Sequence, residues 1–215
     1  MVYSHILWDF NGTLLDDVMI GMESINGLLA SRNLPMLASK EDYYRHFRFP
    51  IEEYYRSVGF DFETDPYDVL AQEWVDRYRA LEHTAPLCEG ALEALKYVSE
   101  KGIPQIVFSA TQKQMLEQQL AFLSIDGFFS EVLGSRDIYA EGKTAVGLRW
   151  VQETNPARAV LIGDTAHDAH CALEMGIDCV LVAGGHSSKA SLDALGLPVL
   201  NSLRELPLFL EKEKR

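Results

Sequence analysis

The chain has 215 residues, of which 47% are hydrophobic and 24% are charged. This length and composition fit one globular domain, or a core domain that carries a smaller inserted one. The formal net charge of -13 argues against nucleic acid and anionic membrane surfaces as partners, because clustered Lys and Arg normally bind them. A phosphorylated ligand would therefore need a site that supplies its own positive charge.

The cysteines indicate the compartment in which the chain works. Cys88, Cys171 and Cys179 are odd in number, lack metal-ligand spacing, and occur without a signal-peptide pattern, so we expect a reduced, cytoplasmic setting. The longest apolar runs are far shorter than the roughly 20 residues of a membrane-spanning helix. We expect a soluble protein with no membrane partner, and the composition is compatible with a monomer or a homodimer.

Short apolar runs predict buried β-strands along the chain. The strong runs are 5–9, 104–109, 159–164 and 179–184, and the weaker ones are 130–134 and 197–200. Helical patterns alternate with them at 91–102, 112–123, 143–153 and 168–176. This alternation predicts an α/β fold with a doubly wound, Rossmann-like parallel sheet.

One long interval interrupts the alternation. Residues 16–86 contain no convincing strand but several helical stretches rich in aromatic residues, so we predict a core of 1–15 and 87–215 with an inserted all-helical cap of 16–86. Such an insert would lie above the carboxyl edge of the sheet, where open sheets bind ligands, and would act as a lid. We expect its core to contain Tyr43, Tyr44, Tyr54, Tyr55 and Trp74.

The first predicted strand ends in a polar turn. Asp9 is followed by Phe10, Asn11, Gly12 and Thr13, and Gly12 permits a tight turn with backbone amides close to a ligand. A carboxylate on that turn would face the ligand crevice. The same residues are also ordinary turn formers, so this segment alone does not establish a site.

The second predicted strand ends at Ser109, which Ala110 and Thr111 follow. We predict that Thr111 is the N-cap of the next helix and that Gln114 completes a capping box. The free amides of the helix start and the Ser109 hydroxyl would then form an anion cradle. A helix cap without any ligand is the alternative.

The strand at 159–164 ends at Asp164, and Asp168 lies at the start of the helix that follows. Carboxylate oxygens suit Mg²⁺, with one carboxylate bound directly and the other through water, although the pair could instead cap the helix. Lys143 begins another helix, where most lysines are exposed. Since these strand ends meet at one edge of the sheet, they bring together the nucleophile, metal ligands, cation and N–H donors that phosphoryl transfer requires.

Four motifs in this order resemble the haloacid dehalogenase superfamily of phosphohydrolases: WDFNGTLLDD at 8–17, FSAT at 108–111, EGKTA at 141–145 and IGDTAHD at 162–168. The helical insert resembles the cap of the phosphoglycolate phosphatase-like branch. The resemblance implies a Mg²⁺-dependent phosphatase that hydrolyses a small phosphorylated metabolite, such as phosphoglycolate. It also implies an aspartyl-phosphate intermediate on Asp9.

The resemblance also implies roles for individual residues. Asp9 would be the nucleophile, while Ser109 and Lys143 would hold the phosphoryl oxygens. The implied Mg²⁺ ligands are Asp9, the backbone carbonyl of Asn11 and Asp164, with Asp168 near the ion but not bound to it directly. The implied phosphate or substrate positions are Phe10, Gly12, Thr13, Ala110, Thr111 and, within the distinctive cap stretch 45–55, Arg48.

One position departs from the family's pattern. Asn11 stands where the family's phosphatases usually carry an Asp that serves as general acid and base. An amide cannot exchange a proton, and loss of positioned acid–base catalysis typically costs about 10² to 10⁴ in rate. Either the leaving group is acidic enough to depart unaided, or another residue such as His46, His83 or His167 supplies the proton.

Other functions remain compatible with Asn11. The chain could be a catalytically weak binding or regulatory protein, a slow enzyme, or an engineered trapping variant. Phosphonate cleavage would need a cap lysine to form a Schiff base, and Lys40 is the only lysine in the predicted cap.

Overall fold

The computed structural model describes residues 3–136 and 142–213. Within them, six strands form one sheet in the order β3-β2-β1-β4-β5-β6, and every pairing is parallel. Helices connect the strands, so the predicted α/β fold is confirmed. The strands are β1 His5–Trp8, β2 Gln105–Gln112, β3 Glu131–Ser135, β4 Ala159–Gly163, β5 Asp178–Val182 and β6 Val199–Leu200.

The helices fall into two groups along the chain. Between β1 and β2 lie α1 Val18–Ser31, α2 Lys40–His46, α3 Ile51–Ser57, α4 Tyr67–Leu81 and α5 Ala91–Glu100. After β2 come α6 Lys113–Phe122, α7 Lys143–Thr154, α8 Ala166–Met175, α9 Lys189–Asp193 and α10 Leu206–Lys212. Among the described residues, none of these helices is both long enough and apolar enough to cross a membrane.

The chain divides into two compact units. One comprises Met1–Asp16 and Pro86–Arg215 and contains the sheet, and the other is Asp17–Ala85 and contains α1 to α4. The smaller unit has its own aromatic core, in which Tyr43, Tyr54 and Tyr55 are buried while Tyr44 and Trp74 pack against them. The prediction of an aromatic core is therefore confirmed, whereas the role of this unit as a cap stays a prediction.

The core beside the sheet is formed by side chains of the central strands and of α7 and α8. Leu7, Phe108 and Leu161 are completely buried there, and Trp150 and Met175 are nearly so. Burial of a large apolar side chain contributes roughly 1.5–3 kcal/mol. These contacts hold α7 and α8, which begin at Lys143 and Ala166, against the sheet.

A buried polar contact accompanies the pairing of β1 with β2. The Trp8 indole Nε1 donates to Gln105 Oε1 over 3.0 Å, and Gln105 Nε2 donates to the Leu95 carbonyl over 3.1 Å. A shift in register would leave these buried groups without partners, at a cost of about 1–3 kcal/mol each. Trp8 lies opposite both Val107 and Ile162, so the residues that follow these strands reach the same edge of the sheet.

The predicted end of the second strand was wrong. β2 continues past Ser109 to Gln112, with an irregular register to β3 between Phe108 and Gln112. Thr111 therefore lies in the strand, and the N-cap of α6 is Gln112, which makes no side-chain capping bond. The predicted capping box at Thr111 is absent because the Thr111 hydroxyl is used in a different contact, described below.

Candidate active site

Asp9 lies at the carboxyl end of the central strand, at the start of a tight loop. Its backbone N–H donates to the Ile162 carbonyl over 2.8 Å, which ties the loop to β4. The Phe10 side chain is fully buried, and its carbonyl accepts hydrogen bonds from Leu14 and Leu15. Gly12 adopts a positive φ of 76°, a conformation that glycine adopts without strain. The loop therefore presents Asp9 at the sheet edge in a fixed position.

Lys143 reaches Asp9 from the first turn of α7. Its Nζ donates to Asp9 Oδ1 over 2.5 Å and to Asp168 Oδ1 over 2.7 Å, and it also lies 4.9 Å from the Phe108 ring centroid. The side chain is 3% exposed. Most lysines at a helix start are exposed, but Lys143 is buried because two buried carboxylates pair with it. Residue 141 of the EGKTA motif lies outside the described residues.

Asp168 joins the helix cap to the ion pair. Its Oδ2 accepts from the Thr165 backbone N–H over 3.1 Å and from the Thr165 hydroxyl over 2.7 Å, which completes a capping box at the start of α8. Its Oδ1 accepts from Lys143. The helix-cap interpretation of this residue is confirmed, and the same carboxylate also pairs with Lys143.

Asp164 is completely buried at the end of β4. Its Oδ1 accepts from the Thr13 hydroxyl over 2.9 Å, and its Oδ2 accepts from the His186 backbone N–H over 2.5 Å. The Thr13 hydroxyl also lies 3.2 Å from Asp9 Oδ2. Thr13 thus links the two carboxylates that the sequence predicts as metal ligands.

The three carboxylates form a cluster that fits a divalent cation. One oxygen of each of Asp9, Asp164 and Asp168 lies within 4.8 Å of the others, and all three residues are buried. Lys143 balances one of their three negative charges, and a buried excess of negative charge is costly without a cation. The donor set is entirely hard oxygen, which suits Mg²⁺. Asp168 also pairs with Lys143 and caps α8.

The pKa shifts follow from this burial. Burial raises the pKa of Asp164 to about 6, and it raises the pKa of Asp9 well above its usual range despite the nearby lysine. Burial opposes the charge on Lys143, but Asp168 and Asp9 outweigh it and raise the lysine's pKa. For Asp168, burial acts to raise the pKa, but the charge and hydrogen bond of Lys143 together with the Thr165 hydrogen bond outweigh it and lower the pKa. In the protein without metal, the ionised forms of Asp9 and Asp164 are destabilised by burial, and a bound cation would stabilise both.

Uncharged groups of β2 contact Asn11, two residues after Asp9. The Thr111 hydroxyl donates to Asn11 Oδ1 over 2.7 Å, and the Ser109 hydroxyl lies 3.4 Å from the same atom. The Thr111 backbone N–H donates to Ser109 Oγ over 3.0 Å, and Ala110 lies between them in the strand. Hydroxyl and amide groups here offer hydrogen bonds but no proton exchange near neutral pH.

The remaining predicted residues lie elsewhere or make other contacts. Arg48, in the helical unit, donates from Nε to the His46 carbonyl over 2.9 Å and from Nη2 to the Arg45 carbonyl over 2.7 Å. In the same unit, His46 Nδ1 lies 3.2 Å from Ser57 Oγ, and His83 is exposed. His167, on α8, lies 3.7 Å from the Cys171 thiol, and burial lowers its pKa.

Sequence reasoning missed the segment that follows β5. Gly185 and His186 are buried, and His186 contacts Asp164 through its backbone. The available signal was the Gly184-Gly185 pair at the end of the predicted strand 179–184, because a glycine pair at a strand's carboxyl end permits close backbone approach to a site.

Comparison with known proteins agrees with this geometry. The family model described as haloacid dehalogenase-like hydrolase matches residues 6–182. A phosphoglycolate phosphatase from Caulobacter vibrioides is 26% identical over 94% of this chain and 88% of its own length.

Solved structures show the same fold. A haloacid dehalogenase-like family hydrolase from Streptococcus pneumoniae has a TM-score of 0.82, with 21% identity over 97% of this chain and 99% of its own. A predicted phosphatase from Clostridium acetobutylicum also has a TM-score of 0.82, with 22% identity over 98% of this chain and 100% of its own. The family match covers Asp9, which follows β1, and α8, which carries Asp168, and the chain therefore belongs to the haloacid dehalogenase-like hydrolase family.

Proposed function

We propose that this chain is a Mg²⁺-dependent phosphatase that acts on a small phosphorylated metabolite through an aspartyl-phosphate on Asp9. The observation that supports this most directly is the buried cluster in which Asp9 contacts Lys143 and lies within reach of Asp164 and Asp168. A nucleophilic carboxylate beside a cation site and a buried ammonium group is the arrangement that phosphoryl transfer requires.

The proposed reaction has two chemical steps, and each residue of the cluster has a role in them. When bound, Mg²⁺ supplies positive charge that neutralises the phosphoryl oxygens and the carboxylates. Asp9 attacks phosphorus in line, and the leaving oxygen departs with the electrons of its bond to phosphorus. Water then attacks the phosphorus of the aspartyl-phosphate, which releases phosphate and regenerates the Asp9 carboxylate. Lys143 and the Ser109 hydroxyl hold phosphoryl oxygens during both steps.

Asn11 sets a condition on the leaving group. Its Oδ1 accepts the Thr111 hydroxyl, so it orients neighbours but transfers no proton. A substrate whose leaving group departs as an anion, such as an acyl phosphate, would react almost as fast without proton transfer from residue 11. An alkyl phosphate would react about 10² to 10⁴ more slowly than with a positioned acid. The enzyme is therefore slow or restricted in its leaving groups.

Three further features belong to the proposal. Relatives named phosphoglycolate phosphatase support a phosphoglycolate-like substrate. The helical unit Asp17–Ala85 would act as the cap of the catalytic unit, with Arg48 as a substrate contact. A cytoplasmic location is supported by three cysteines without a disulfide-like or metal-like spacing.

Asn11 also favours a second candidate, a catalytically weak binding or regulatory protein that retains the cation site. The two candidates differ in turnover. The first predicts Mg²⁺-dependent hydrolysis that continues over many cycles, whereas the second predicts that cation and phosphate bind without sustained release of product.

The test is hydrolysis of acetyl phosphate, p-nitrophenyl phosphate and phosphoglycolate with and without Mg²⁺. We expect turnover that requires Mg²⁺, disappears in Asp9→Ala and is retained in Asp126→Ala, since Asp126 is exposed. A hydroxylamine-sensitive phosphoryl label on wild type, absent from Asp9→Ala, would identify the intermediate. Inactivity towards a broad panel of phosphate esters and anhydrides would favour the binding protein instead.

A further inference from the structure

Both oxygens of Asp164 are held by hydrogen bonds from different parts of the chain. The Thr13 hydroxyl donates to Oδ1 over 2.9 Å, and the His186 backbone N–H donates to Oδ2 over 2.5 Å. The residue is 0% exposed. A short hydrogen bond from a backbone amide to a buried carboxylate is charge-assisted and strongly directional. The amide after β5 therefore fixes the rotation of the Asp164 carboxylate.

Two glycines surround the same carboxylate. A Cβ added to Gly185 would lie 2.5 Å from Asp164 Cγ and 2.5 Å from the Gly12 carbonyl oxygen, and one added to Gly12 would lie 2.8 Å from Asp164 Cγ. These separations are well inside van der Waals contact. The backbone of both loops therefore approaches Asp164 at a distance that only glycine allows.

We propose that the segment Gly185-His186 is a positioning element for the cation site. The His186 amide, together with the absence of a side chain on Gly185, holds Asp164 in the orientation that binds Mg²⁺. Each Asp164 oxygen keeps a further lone pair, since each carboxylate offers about four acceptor positions. Groups that orient a metal ligand typically change metal affinity by 10-fold to 100-fold when they are removed. This inference rests on the proposed function, because it assumes that Asp164 is a Mg²⁺ ligand.

The first test compares two glycine variants. Gly185→Ala places a methyl group against Asp164, whereas Gly127→Ala meets no atom within 4 Å and requires no positive φ. We expect calorimetric titration with Mg²⁺ to show an affinity at least about 10-fold weaker for Gly185→Ala and within about twofold of wild type for Gly127→Ala. A folded Gly185→Ala, judged by circular dichroism, that binds Mg²⁺ as tightly as wild type overturns the inference.

A second test uses the unmodified protein and applies even if Gly185→Ala does not fold. In a ¹H–¹⁵N spectrum, the His186 amide should resonate far downfield and shift as Mg²⁺ is added, with a midpoint equal to the calorimetric Kd. A His186 amide unchanged at saturating Mg²⁺ contradicts the inference while leaving the proposed function intact. Wild-type protein that binds no Mg²⁺ overturns both proposals.

Discussion

The two strands that flank β1 end in opposite ways. After β4, Asp164 and Asp168 bring two buried carboxylates to the site, and Lys143 pairs with the second of them. After Phe108 in β2, Ser109 and Thr111 bring only hydroxyl groups. We call these the charged side and the neutral side of Asp9. The difference fits the proposed function, in which the site binds a cation and phosphate but transfers no proton through Asn11.

The two sides also use similar sequence patterns differently. Thr165 and Asp168 form a capping box that starts α8. Thr111 and Gln114 have the same spacing, but β2 continues to Gln112, and the Thr111 hydroxyl donates to Asn11. A Thr near a helix start can therefore serve the helix or the site, and the length of the preceding strand decides which.

Removing the cation tests the charged side and should have the largest effect. With excess EDTA, or in Asp164→Asn with Mg²⁺ present, we expect turnover of acetyl phosphate to fall by about 10³-fold or more, since metal-based charge stabilisation is worth several kcal/mol. Steady-state rates over a Mg²⁺ titration measure this. Full activity in EDTA would mean that the carboxylate cluster has no metal role.

The stability of the metal-free protein should depend on pH through Asp164. Its pKa is raised to about 6 in the folded state, so the folded protein binds more protons than the unfolded chain between about pH 4 and 6. Stability from this group is fully present below pH 4 and is lost as pH rises through 6. The roughly two-unit shift corresponds to about 3 kcal/mol at pH 7.

Denaturant unfolding in EDTA measures that dependence. Relative to Asp164→Asn, whose side chain cannot ionise, wild type should be of similar stability at pH 4 and less stable at pH 7. Added Mg²⁺ should raise wild-type stability more at pH 7 than at pH 5. A difference between the two proteins that stays constant from pH 4 to 7 would contradict the assignment.

A carboxylic acid introduced on the neutral side should allow that side to donate a proton to the leaving group. In Asn11→Asp we expect turnover of alkyl phosphates such as phosphoglycolate to rise by about 10²-fold, at the lower end of the contribution of general acid–base catalysis. The gain on acetyl phosphate should be smaller, because its leaving group needs less protonation. Equal gains on both substrates would show that Asn11 does not limit protonation of the leaving group.

Thr111→Val should give the smallest effect. The variant removes the hydroxyl that donates to Asn11 Oδ1, and one hydrogen bond is worth about 1 kcal/mol, or roughly fivefold in rate. We expect turnover of acetyl phosphate to fall by about this factor while the Kd for Mg²⁺ stays that of wild type. A weakened Mg²⁺ affinity would show that the neutral and charged sides are not separate.

Much of the catalytic unit was predictable from sequence, because its strands are continuous apolar runs and its polar residues follow them directly. Family resemblance implied that Lys143 holds phosphoryl oxygens, but its pairing with Asp9 and Asp168 was not predicted, since nothing local distinguishes it from an exposed lysine. The end of β2 was missed because Thr111 and Gln114 match a capping pattern that tertiary contacts override. His186 was missed because it contacts Asp164 through its backbone, which every residue except proline offers.

The linear order of the site has a consequence for synthesis of the chain. The contacts of Asp9 with Lys143 and of Thr13 with Asp164 span 134 and 151 residues, and β4 lies between β1 and β5 in the sheet. On the ribosome, Lys143, Asp164 and Asp168 emerge more than 130 residues after Asp9. A truncated or stalled product would contain Asp9 without these partners, so under the proposed function it could not carry out phosphoryl transfer.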